Sequence, residues 1–506
     1  MFDWVVMLML VGVWALSPAK TADAASNDVW LWLGPLGCAV PATAAWLWTF
    51  LVGRALVRHA RRPVEQQLRE AEAGGEARTV FGIAARGDAG VGVCKAALAA
   101  WFLFALAMGW SAAAAAALHS PWTAAAALVI FGAAVAVAVE ASRLAVWRGW
   151  TALRRAKRRP FLRELAAFVA QHLRQRVALL LILAAAGALW TLALATLSSA
   201  LQGRYDIALA ALDLAGLAAL VLALPRLLTL VWPTRPVKAG PLLDAIDAVE
   251  RAARVPLGRP RLWTSPGTGV NAAMVGFARL ERVLLISLGA TRALSPPELE
   301  AVLAHEAAHA QRRHALWLAL GVAGAVGLGW LLGRFTGDAA ATLITTAADT
   351  HPNQPTPVAF WGAHALAAAA GLLMFGVMSR AFEREADAVA AQTLTTLERR
   401  RTGPAAHASD AETTASDDGD APQNTTVSRD AAALMAETLG TVARVNGMRV
   451  NHWGFRHGSI AQRFDSLRRT AGRTVRRSPA GAAARRVRLA ALLLLLLAVA
   501  AWSVPL

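Results

Sequence analysis

The stretch Ser295-Pro296-Pro297-Glu298-Leu299-Glu300-Ala301-Val302-Leu303-Ala304-His305-Glu306-Ala307-Ala308-His309 decides how this chain is read. Ser295 is a natural N-cap, Pro296 suits the first helical position, and Glu298 stands where a capping box needs it. A helix is therefore expected through the histidines to about Arg313. On a helix, residues four apart share a face, so His305 and His309 can aim their imidazoles at one ion. Glu306 adjoins both, where a general base could take a proton from a bound water. Histidine is scarce, 11 in 506 residues, so the spaced triplet is a poor candidate for coincidence. Leu299, Val302 and Leu303 supply the same helix with a core face. His314 falls off the shared face and is read as interfacial.

Two histidines leave a catalytic zinc, which accepts imidazole nitrogen and carboxylate oxygen at about 2 Å, one protein ligand short. Glu383 or Glu385 could supply the third. Glu383 shares a helical face with Asp387, four residues on, and Asp387 could then brace a ligand histidine through its other ring nitrogen.

Around this motif the chain is strongly apolar, 56% hydrophobic with 17% charged. Apolar runs at 29–53, 89–118, 121–139, 177–200, 206–232, 314–333, 357–378 and 489–506 approach or exceed the roughly 20 residues a bilayer-crossing helix needs. Residues 4–16 read as a short first span in preference to a signal peptide, because Asp3 and no Lys or Arg precede them. The loops 54–88 and 140–176 are arginine-rich, whereas 17–28 has only Lys20 and 335–356 has no Lys or Arg. Counting spans from a cytoplasmic amino terminus puts both basic loops inside. Residues 233–313 and 379–488 then fall on the cytoplasmic side of a plasma (inner) membrane. The hairpin 314–378 returns Glu383 to the side of His305.

The net charge of +18 follows from this inside bias and from contact with anionic lipid. Nucleic acid is excluded as a partner, since no stacking or groove-reading motif accompanies the arginines. Cys38 and Cys94 indicate neither a disulfide nor a thiolate site. A transporter would carry broken helices or ionisable groups inside its spans, and Pro35, Pro41, Pro225, Arg226 and His364 are too few for that.

The expected architecture is mainly α: a polytopic helical membrane protein with a cytoplasmic-face metallopeptidase domain containing a small β-sheet. Residues 1–232 form the multi-span region with its basic loops, and 233–313 the first part of the peptidase domain. There, a helix over 242–253 precedes strands at 261–263 and 283–286, with turn residues between them. Residues 314–378 form the hairpin, and 379–398 a helix starting near Arg380. Residues 399–430, rich in Ala, Thr, Asp, Ser and Gly, read as a disordered linker. Residues 431–488 complete the domain, and 489–506 form the last span.

The sequence resembles the M48 peptidases, a family that includes the CAAX prenyl protease and the bacterial protease HtpX. The likeness covers about residues 240–469 and rests on two stretches. One is Leu294-Ser295-Pro296-Pro297-Glu298-Leu299 leading to Val302-Leu303-Ala304-His305-Glu306-Ala307-Ala308-His309. The other is Ser379-Arg380-Ala381-Phe382-Glu383-Arg384-Glu385-Ala386-Asp387. The resemblance implies one Zn(2+) per chain, with Glu383 as third ligand and Asp387 in support. Asn271-Ala272 with Gly276 is similar to a family segment near the substrate, where a peptide could pair with an exposed strand. Arg456-His457-Gly458-Ser459-Ile460 and Arg463 are similar to a late histidine and arginine that would steady an oxyanion.

The function expected is zinc-dependent endopeptidase activity on membrane-associated or misfolded proteins, with Glu306 as base and His457 beside the oxyanion. The alternative is a membrane zinc domain that senses or transduces and cuts little beyond itself.

Overall fold

The computed structural model describes residues 206–264, 270–276, 279–345, 357–402, 425–446 and 453–502, with isolated residues elsewhere. The expected spans 4–16, 29–53, 89–118 and 121–139, the basic loop 54–88, Cys38 and Cys94 lie outside the described residues, as do all of the loop 140–176 but Arg174 and about two thirds of 177–200. The chain divides into two units, Met1–Leu220 and Val221–Leu506, and the second carries the histidine motif.

Helix α1 (Asp206–Val231) leads into a four-stranded sheet made from β1 (Thr234–Pro236), β2 (Arg259–Trp263), β3 (Ala272–Val275) and β4 (Val283–Ser287). Its order is β1-β2-β4-β3, with β2 and β4 parallel and both outer pairs antiparallel. The apolar run Val283–Ser287 is wholly buried, as a central strand covered on both faces should be. Both β1 and β3 were missed in the sequence. β1 is three residues long and contains a proline, and 272–275 sits among turn residues. Each owes its extended form to pairing with a neighbour.

Helix α2 (Pro241–Ala253) buries Ile246, Val249, Ala252 and Ala253 against the domain core. After the short α3 (Leu288–Ala293) comes α4 (Pro296–Gln311), the histidine helix. Its start is as expected: Glu298 Oε2 accepts from the Ser295 backbone N–H at 2.9 Å and from the Ser295 hydroxyl at 2.8 Å. Arg313, at φ 51°, turns the chain into α5 (His314–Thr345).

The return helix corrects the expected boundary near Arg380. α6 (Pro357–Thr402) is one uninterrupted helix of 46 residues, about 69 Å at 1.5 Å per residue. No glycine pair, proline or cap interrupts it near 379, so the change from apolar to charged sequence marks a change of surroundings and not a break. The expected linker is also shorter than 399–430. α6 runs to Thr402, and Val427 N–H already donates to the Arg473 carbonyl at 3.0 Å. α7 (Arg429–Val445), α8 (Ile460–Thr470) and α9 (Pro479–Trp502) complete the unit.

Among the described residues no helix is long and apolar enough to cross a membrane. α1, α5, α6 and α9 coincide with the segments read as spans from 206 onward, and their membrane crossing stays an expectation.

Small residues let α4 and α6 meet. Ala301, Ala304, Ala307 and Ala308 on one side, and Ala386, Ala390 and Ala391 on the other, are completely buried in one core. With methyl groups on both faces, the two backbones approach closely and short side chains can bridge them. Ala386→Leu is expected to force the helices apart, costing about 1–3 kcal/mol and lowering the melting temperature in a thermal scan.

Candidate metal centre

α4 brings His305 and His309 to one face, their Nε2 atoms 3.2 Å apart and their rings edge to face. Glu383, from the middle of α6, completes the group: its Oε2 is 3.6 Å from His305 Nε2 and its Oε1 3.8 Å from His309 Nε2. Four donors at about 2 Å around a tetrahedral ion stand roughly 3.3 Å from one another. The two imidazole nitrogens stand at that spacing, and one ligand atom from each of the three residues lies within 4.8 Å of the others, so the side chains present can gather around a single zinc ion, with His305, His309 and Glu383 as the residues that would hold it.

Asp387, one turn beyond Glu383, is completely buried, and its Oδ1 lies 3.0 Å from His305 Nδ1. Arg463, on α8, closes on Asp387 with two hydrogen bonds of 2.7 and 2.6 Å and reaches Glu383 Oε2 at 3.5 Å. This fork is the strong bidentate form of an arginine–carboxylate pair. Burial alone would raise the Asp387 carboxyl, but Arg463 and His305 hold it below its usual range. Burial likewise opposes ionisation of Glu383, yet His457, His305 and Arg463 keep it well below the usual range. Glu385, weighed beside Glu383 in the sequence, faces away from the cluster and accepts from Arg488 on α9.

Glu306 sits where α4 meets the sheet. Its Oε2 accepts the Met274 backbone N–H at 2.8 Å, which ties the carboxylate to the outer edge of β3. Burial lifts the Glu306 carboxyl above its ordinary range, against the downward pull of His305 and that N–H. A raised carboxyl beside metal ligands suits a group that takes up and gives back a proton near neutral pH.

His457 stands at the rim, half exposed, with Nδ1 3.0 Å from Glu383 Oε1. A tight loop carries it: Gly454 and Gly458 exchange backbone hydrogen bonds of 3.0 and 2.9 Å, and Gly458, at φ 68°, takes a conformation that favours glycine. Arg380 on α6 anchors the loop by donating to the Phe455 carbonyl at 2.8 Å. Asn271, exposed at the start of β3, exchanges two bonds with Ser287: its N–H donates to the hydroxyl at 3.0 Å, and its carbonyl accepts the Ser287 N–H at 2.9 Å. It belongs to the sheet edge, three residues before Met274, the strand position that holds Glu306.

The reading of His314 as interfacial is corrected. Its side chain is buried, with Nδ1 2.9 Å from His309 Nδ1 and Nε2 2.9 Å from Glu385 Oε2. Helical spacing counted from His309 misjudged it because α4 ends before residue 314, and the turn at Arg313 swings the next helix back. A histidine, Glu385 and Arg488, all bordering apolar runs, signalled a need for partners that the sequence reading did not use.

Two outcomes follow from this geometry. Arg463→Met strands the buried Asp387 charge and is expected to cost about 3–5 kcal/mol, read as a lower denaturation midpoint. Burial would lower the His305 pKa, but Asp387 and Glu383 override it and raise it to about 10. The metal-free site therefore holds a proton on His305 at neutral pH, and an ion must displace it. Zinc affinity should rise roughly tenfold per pH unit across the neutral range, with about one proton released per ion in calorimetry.

A "Protease HtpX homolog" from Acaryochloris marina (strain MBIC 11017) is 35% identical over 94 residues, covering 18% of this chain and 31% of that relative, so the match spans about a third of its length. A crystal structure of Ste24p from S. mikatae aligns with 85% of this chain and 98% of its own, at 13% identity and a TM-score of 0.43. Residues 239–471, a little under half of the chain, match the family model described as peptidase family M48, and that segment holds the three candidate ligands, Glu306, Asp387 and Arg463.

Proposed function

We propose that the chain is a zinc-dependent endopeptidase of a plasma (inner) membrane, cutting membrane-associated or misfolded proteins at the cytoplasmic face. The observation that carries this reading is the meeting of His305, His309 and Glu383 with Glu306 beside the edge strand β3. Zinc held there would polarise a scissile carbonyl and acidify a water.

The chain's own residues supply the rest. Glu306, oriented by Met274 N–H, takes the proton from the attacking water and passes it to the leaving amine. β3 is the outer strand of the described sheet, and an extended substrate adding to its free side would run past Glu306 with Asn271 near one end. His457, at the rim beside Glu383, is placed to turn toward the oxyanion and donate to it. Asp387 and Arg463 keep His305 aimed.

The apolar segments 206–232, 314–333, 357–378 and 489–506, together with the basic-inside count, support membrane embedding of this unit. They would set the site at the surface where membrane-protein segments emerge.

Glu306→Gln is expected to keep one zinc per chain by metal analysis while lowering turnover of an unfolded membrane-protein substrate by roughly 10²- to 10⁴-fold. Cleavage at the wild-type rate by that variant would sink the mechanism. Cleavage of its own chain alone would favour a sensing or transducing role.

A further inference from the structure

His309 is held differently from its partner His305. His305 meets a carboxylate directly, at 3.0 Å from Asp387, and Arg463 braces that carboxylate. His309 instead meets His314, at 2.9 Å between Nδ1 atoms, and His314 passes the contact to Glu385 at 2.9 Å. Arg488 closes the row, donating to Glu385 Oε1 at 3.1 Å and to Oε2 at 2.6 Å. Each of the two histidines therefore leads to an arginine–carboxylate fork, buried for Arg463 and part-buried for Arg488, and both carboxylates come from α6. One arginine comes from α8 and the other from α9.

The hydrogens along the second row allow one arrangement. For His309 to offer the Nε2 lone pair to an ion beside Glu383, its hydrogen must sit on Nδ1. That N–H can donate only to a bare His314 Nδ1, so the His314 hydrogen sits on Nε2 and donates to Glu385. Glu385, accepting from both His314 and Arg488, has no need of a proton. Packing holds the row in line: the His314 ring stacks on Phe382 with centroids 4.5 Å apart and planes 5° apart, and the Arg488 guanidinium lies 5.3 Å over the same ring. His314 and Glu385 are each 3% exposed, so water competes little for these bonds.

We propose that His314, Glu385 and Arg488 form a positioning relay that fixes the tautomer and aim of His309, so that α9 helps set the metal affinity of the site. Arg488 lies beyond residue 471, where the family match ends, which makes the carboxy-terminal helix part of the metal centre. The relay rests on the metal reading and adds to it residues that never touch the ion. The bland alternative is that Glu385 and Arg488 only dock α9 onto α6.

Zinc affinity and the ligand-field spectrum of the cobalt(II)-substituted protein, measured on the full chain in detergent, separate the two. His314→Leu removes both bonds and is expected to weaken zinc binding by about 10- to 100-fold and to shift the cobalt bands. His314→Gln, whose amide offers an acceptor and a donor, should recover part of that loss. Arg488→Met should weaken binding by a smaller factor. Ala498→Leu, which crowds α9 against Gly327 of α5 nearly three turns beyond Arg488, should lower the melting temperature and leave affinity and spectrum unchanged. Wild-type affinity and spectrum in His314→Leu and Arg488→Met would overturn the relay, as would equal losses in Ala498→Leu. If His314→Leu fails to fold, His314→Gln and Arg488→Met decide the matter by the same readings. Wild-type protein that takes up no metal would remove the metal reading itself.

Discussion

A carboxylate on one helix reaches two imidazoles on another because alanines line both sides of the contact between α4 and α6. Ala304, Ala307 and Ala308 leave nothing between the histidines and the neighbouring backbone, and Ala386 and Ala390 answer them from α6. Bulkier side chains at these positions would leave Glu383 too short to reach the Nε2 atoms. The small residues inside the His-Glu-Ala-Ala-His motif are thus as much a part of the candidate metal centre as the three side chains that could hold the ion.

Closeness creates an electrostatic demand. α6 buries Glu383, Glu385 and Asp387 within five residues, and carboxylates removed from water need partners. Arg463 arrives from α8 to serve Asp387 and Glu383, and Arg488 arrives from α9 to serve Glu385. Helices distant in the chain are locked around α6 by this need, and the same pairings lead to His305 through Asp387 and to His309 through Glu385 and His314. Stability and site geometry therefore rest on the same few contacts.

Much of this was legible locally. The cap at Ser295, the shared face of His305 and His309 and the place of Glu306 depend on neighbours within a turn or two, which sequence spacing describes well. The choice of Glu383 over Glu385 was open from spacing alone and closed by likeness to a family. β1 and β3 escaped notice because short strands take their shape from partners, not from their own propensity. His314 escaped because counting helical turns past His309 assumes a helix that has already ended. The extra helix start near Arg380 came from reading a change in composition as a change in backbone.

By itself, the sequence determined the ligand types, their helical spacing and the need for a third donor, since these follow from bond geometry and ion chemistry at short range. Only the tertiary structure decided which buried charges face one another. Glu383 turns to the histidines, Asp387 to His305 and Glu385 to His314 and Arg488, although the three acids stand within one and a half turns of the same helix. A helix sends residues two apart to different sides, and what waits on each side depends on α4, α5, α8 and α9, whose contacts no local pattern records.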